Sequence, residues 1–122
     1  MKKTVVRMLI ALAMLAPLPA VAHHGWAGYA EEEFEVSGVT TTPVSLAGPH
    51  ATFKIKVEER VWDITLAPPP RTSGAGLNAT TIPVGSKVTV QGHRHKDLKR
   101  FEVKTERVNF NGKVYNVYPD RS

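Results

Sequence analysis

The stretch ATFKIKVEERVWDITLA, Ala51 to Ala67, constrains the fold of this chain more than any other. Phe53, Ile55 and Val57 alternate with Lys54, Lys56 and Glu58, and Trp62, Ile64 and Leu66 alternate with Asp63 and Thr65. A period of two puts each apolar set on one face of a strand. Only Glu58, Glu59 and Arg60 separate the runs, a spacing that joins them as an antiparallel hairpin. A half-buried hairpin needs a second layer, or a sheet closed on itself, to cover its apolar face.

The rest of the chain supplies further strands rather than helices. FEVSGVTTT is rich in β-branched residues, with Phe34 inward and Gly38 marking a bulge or close packing. VGSKVTVQG turns Val88 and Val90 inward. In RFEVKTERVNF the apolar phase slips: Phe101 and Val103 share one parity, Val108 and Phe110 the other. A bulge between Thr105 and Arg107 accounts for the slip. Asn111-Gly112 is a hairpin turn, and KVYNVYP is the last strand. TPVSLAGPH reads as a loop, PPPRTSGAGLNATTIP as a loop with one helical turn near Leu77, and HRHKDLK as a polar turn. About six short strands with turns between them predict an all-β domain, a small, partly open OB-like barrel of five or six strands.

Residues 1–22, MKKTVVRMLIALAMLAPLPAVA, read as a cleaved signal helix. Lys2, Lys3 and Arg7 precede the apolar run Met8 to Ala16, and Ala20 and Ala22 form a small-residue cleavage site. The run is shorter than the roughly 20 residues of a membrane-spanning helix. The expectation is one mature domain, residues 23–122, in the periplasm or secreted, with no transmembrane anchor after the cut at Ala22. The chain carries a formal +5, of which the signal segment supplies three charges, leaving +2. That balance argues against nucleic acid as a partner. There is no cysteine, so disulfides and thiolate metal sites are excluded.

Several stretches fall in a familiar order: HHGW, GPHATFKI, WDITLAPPPR, RTSGAGL, VGSKVTVQGHRHKD and NGKVY. Together they resemble a family of exported proteobacterial proteins of unknown function. The resemblance spans the mature chain and implies an OB-like fold. No activity is established for that family, so it carries no catalytic residue over. Gly48 departs from its pattern, which has Asn before the Pro-His pair.

Cleavage after Ala22 would free the α-amine of His23, so that amine and imidazole of one residue chelate the same ion, with His24 as a further ligand. All-nitrogen sites suit Cu(II), which stands at the top of the divalent affinity order. Three more histidines could complete such a site. His50 follows Pro49 at the mouth of a strand, and His93 and His95 are two apart, on one side of an extended segment. Without a site, His93 and His95 read as solvent-exposed turn residues. Trp26 and Tyr29 pin the segment that follows the two terminal histidines.

No serine sits in a nucleophile motif and no phosphate loop is complete, so the chain is not read as an enzyme. The reading is a small periplasmic copper-binding protein. Its alternative is a metal-free OB-type module for an anionic or glycan envelope ligand or a protein partner, bound by Lys54, Lys56, Arg71, Arg94, Lys96, Lys99 and Arg100.

Overall fold

A computed structural model describes residues 25–121. Residues 1–22, expected above to be a signal helix, and His23 and His24 lie outside the described residues. Six strands and one short helix follow in order: β1 (Phe34–Thr40), β2 (Thr52–Val57), β3 (Arg60–Thr65), α1 (Pro69–Gly74), β4 (Lys87–Arg94), β5 (Glu102–Phe110) and β6 (Lys113–Asn116). The sheet order is β3-β2-β1-β4-β5-β6, and β3 also pairs with β5. Strands β1, β2, β3, β5 and β4 therefore form a closed five-stranded barrel, with β6 added on β5. The barrel is closed where the sequence reading had it partly open. The nine-residue length of β5 is the cause. Its start, Glu102 to Lys104, runs parallel to Asp63 to Thr65, and its end, Arg107 to Phe110, pairs with β6.

The predicted hairpin is β2–β3, with Phe53 opposite Ile64 and Ile55 opposite Trp62. These four side chains are buried with Leu66, Val88, Val90, Val103 and Val108. Each contributes about 1.5–3 kcal/mol through burial. On the outer face Lys54 pairs with Asp63, directly across the ladder. The turn is Glu58-Glu59, with Glu58 in the left-handed region at φ 56°. Asn111 and Gly112, at φ 55° and 79°, form the second tight turn. Gly38 serves close packing: a Cβ there would lie 2.6 Å from the Lys56 carbonyl oxygen, where β1 crosses onto β2.

The helix comes earlier than the sequence reading placed it, beginning inside the proline run rather than near Leu77. Proline is well tolerated at the first helical positions, where its missing N–H has no partner to lose. Pro69 and Pro70 occupy them, and the Thr72 hydroxyl donates to the Ala67 carbonyl at 2.8 Å. Leu77 is instead a fully buried core residue.

The seam between β3 and β5 carries a polar network around Glu102. Its carboxylate accepts from the Tyr29 hydroxyl at 2.5 Å, the Thr65 hydroxyl at 3.0 Å and Arg100 at 2.7 Å. Burial works against the charged carboxylate, but donation by Tyr29 and Thr65 and the Arg100 charge outweigh it and hold Glu102 below the usual glutamate range. A carboxyl depressed on folding stabilises above its unfolded value, about pH 4.3, and that contribution is lost as pH falls through the folded value. Glu102→Gln is therefore expected to lower the thermal midpoint at pH 7, with the gap to wild type closing below about pH 4. Thermal melts of both proteins across pH 3 to 7 check this. A gap that widened on acidification would contradict it.

Candidate metal centre

The slip of apolar phase in β5 is a bulge, as the sequence predicted. Gln91 pairs with Arg107 and the next residue, Gly92, pairs with Thr105, which leaves Glu106 as the extra residue. Bulges re-aim side chains beside functional sites. The displaced Glu106 carbonyl accepts from the Val117 and Tyr118 amides at 2.9 and 3.2 Å. The bulge also needs a glycine opposite: a Cβ on Gly92 would stand 2.1 Å from the Lys104 carbonyl oxygen.

The side chain aimed by the bulge is fully buried and meets His93, which is 6% exposed. Sequence reading assigned His93 to a polar turn. It lies instead within β4, which continues to Arg94. Its Nδ1 faces the carbonyl oxygens of Ala30 and Glu32 at 2.9 and 3.1 Å. Both are acceptors, so Nδ1 carries the hydrogen and donates. The other nitrogen, Nε2, lies 2.7 Å from Glu106 Oε2 and 3.3 Å from Glu33 Oε2. In the neutral ring that nitrogen offers a lone pair to two carboxylate oxygens. Such an arrangement calls for a positive charge among the three atoms, supplied by a proton or a metal ion.

The donor chemistry fits a metal. One ligand atom from each of Glu33, His93 and Glu106 lies within 4.8 Å of the others. Ligands about 2.0–2.2 Å from a common ion stand at most about 4.4 Å apart, so a small turn of the half-exposed Glu33 side chain suffices. The Nδ1–H donation to backbone carbonyls is the support that fixes the tautomer of a metal-bound histidine. Glu106 Oε1 is buried and accepts no hydrogen bond from the described residues. Burial, then the neighbouring Glu106 carboxylate, raises the Glu33 carboxyl above the usual range, against the pull of His93 and Arg107. The three residues line a surface cleft of about 380 Å³ with Glu31, Asp120 and Arg121.

Trp26 covers one side. Its ring meets His93 edge-on at 5.6 Å and Tyr118 at 5.1 Å, and Arg121 lies 3.9 Å above it. Tyr29 bridges to His95, its ring 5.2 Å from the imidazole. The aromatics thus hold the start of the described chain, from Trp26 to Tyr29, against the barrel.

Of the described histidines, His93 alone joins the cluster. His50 Nδ1 bonds the Leu66 carbonyl at 2.7 Å, and His95 Nδ1 accepts from the Asp97 amide at 3.0 Å. Sequence reasoning missed Glu33 and Glu106. The phase slip could have pointed to Glu106, whereas Glu33 sits in an acidic run that reads as solvated. Of the seven proposed ligand-binding cations, Lys54 and Arg100 are paired with Asp63 and Glu102. Arg94 lies 4.8 Å from the Trp62 ring and Arg71 5.2 Å from the Tyr118 ring. Lys56, Lys96 and Lys99 are exposed.

Residues 11–114 match the profile of a family of unknown function, DUF6152. The chain belongs to this family. No curated protein matches it in sequence. Among solved structures it is similar to the ZRD-deleted mutant of TiaS in complex with agmatine, at 17% identity and a TM-score of 0.52. That match covers 70% of this chain and 26% of the other. A complex of TiaS with an isoleucine tRNA and ATP is similar at 19% identity and a TM-score of 0.49, over 65% of this chain and 18% of the other. The DUF6152 chain thus spans about a quarter or less of those proteins, and the first likeness bears on its fold alone.

Proposed function

We propose that this DUF6152 member is a small exported protein that binds a divalent transition-metal ion through Glu33, His93 and Glu106. The observation that carries the reading is the His93 ring. Its Nδ1 is committed as a donor to backbone, which leaves its Nε2 facing two carboxylate oxygens. A nitrogen with two carboxylate oxygens suits copper or zinc, and copper binds more tightly. His23 and His24 stand two and three residues ahead of Trp26 in the chain, and the Trp26 ring touches His93. Processing after Ala22 would add the terminal amine and imidazole to the same ion and favour Cu(II). The role is carriage or buffering of copper outside the cytoplasm.

The test is a calorimetric titration of Cu(II) into protein beginning at His23, beside a version with extra residues ahead of it. The expected result is a single one-to-one site in both, weakened at least tenfold by the extension. Absence of a one-to-one site in both would overturn the reading. Equal affinity in both would remove the terminal histidine from the site and leave the barrel cluster.

A further inference from the structure

Arg121 stands where a cation would act on Glu106. Its Nε lies 3.5 Å from Glu106 Oε2, the oxygen that also faces His93. That is near enough for charge attraction, but the pair makes no hydrogen bond. The Arg121 Nε is buried and without a hydrogen-bond partner among the described residues, as is Glu106 Oε1. A guanidinium meets a carboxylate best through two parallel N–H···O bonds, and none forms here.

Other contacts set the position of Arg121. Its guanidinium packs 3.9 Å from the centre of the Trp26 ring. Its backbone carbonyl accepts from Arg107 Nη2 at 2.8 Å, and its amide donates to the Tyr118 carbonyl at 3.1 Å. The tail before it is tied to the bulge, since the Val117 and Tyr118 amides both donate to the Glu106 carbonyl. The backbone is fastened, while the side chain is 39% exposed and free of hydrogen bonds to the carboxylate it neutralises.

We infer that Arg121 is a resident counter-cation of the Glu33–His93–Glu106 cluster, which an incoming metal ion displaces. The inference rests on the metal reading proposed above. A divalent ion and the guanidinium compete for the same carboxylate oxygen, and like charges so close repel strongly. Metal entry therefore swings the Arg121 side chain away from Glu106 and off the Trp26 ring, toward solvent. Arg121 lowers the affinity of the cluster for metal and, together with Arg107, whose Nη2 lies 3.6 Å from Glu106 Oε1, keeps the buried carboxylate compensated when no ion is bound. It acts as a selectivity threshold, letting strongly bound ions enter and turning weakly bound ones away.

The test uses Zn(II), a closed-shell ion, with the full mature chain. Arg121→Ala is expected to bind Zn(II) about tenfold more tightly than wild type, and Arg121→Lys, which keeps the charge, to bind near the wild-type value. In a Trp62→Phe background, Trp26 is the remaining tryptophan. Its emission is expected to shift on Zn(II) addition with Arg121 present, and to shift markedly less in Arg121→Ala, where only the change at the neighbouring His93 remains. Wild-type binding with equal or weaker binding by Arg121→Ala would overturn the inference and leave the metal site standing. Absence of binding by both would overturn the site and the inference together.

Discussion

Glu106→Gln is expected to lose metal binding by about 100-fold or more while its metal-free form melts within a few degrees of wild type. The two halves have one cause. Glu106 is fully buried on a bulge, and its Oε2 faces the His93 lone pair. Carboxylate and lone pair repel unless a cation lies between them. A glutamine amide keeps the shape and donates an N–H to His93 Nε2, so the variant satisfies without a cation what the wild type satisfies with one. The large penalty for breaking a buried ion pair arises where a charge is left buried without a partner; here the amide donates to His93 and the cation it releases, Arg121, is 39% exposed to solvent. The metal loses an anionic ligand, which costs more than the 10–100-fold usual for a supporting residue. Calorimetry and thermal melts of both proteins test the pair of expectations. Undiminished affinity in Glu106→Gln would remove Glu106 from the site.

Gly92→Ala is expected to be the most damaging single methyl in the molecule. A Cβ at this position would stand 2.1 Å from the Lys104 carbonyl oxygen and 2.9 Å from the Thr105 Cα. Both are backbone atoms of the adjoining strand, so no side chain can turn aside to make room. The strands must separate at the bulge that presents Glu106, beside the β3–β5 seam that closes the barrel. Overpacking of this kind costs about 3 kcal/mol or more. For a domain of this size that lowers Tm by roughly 10–25 °C. Metal binding should fall with it, because Gly92 neighbours His93 and sets the register of β5. A Tm within a few degrees of wild type would show that the strands accommodate the methyl and that the bulge is soft.

Much of the barrel was legible in the sequence because its strands are local patterns. The alternation around Phe53 and Trp62, the Asn-Gly turn and the phase slip in β5 each follow from neighbouring residues. Closure was not legible, since the parallel pairing of Asp63 with Glu102 depends on where two distant strands meet. The helix was misplaced because the proline run was weighed only as a strand breaker, whereas proline also suits a helix start. The cluster was visible in part. His93 was named, but its polar neighbours Arg94, His95 and Lys96 disguised a buried ring. Glu33 lies in a run of acids that reads as solvated, yet its carboxylate comes within 3.3 Å of the His93 ring. Glu106 becomes recognisable only when the bulge is read as an instruction to point one side chain elsewhere.

One metal ion held by His93 between two carboxylates would carry a nitrogen signature when the ion is Cu(II). Electron paramagnetic resonance of a chain beginning at His23, with one equivalent of Cu(II), reads that signature. The expected spectrum is a single species with nitrogen coupling and oxygen donors, altered when His93 is selectively labelled with ¹⁵N. A spectrum indifferent to that label, or one matching Cu(II) free in buffer, would contradict it.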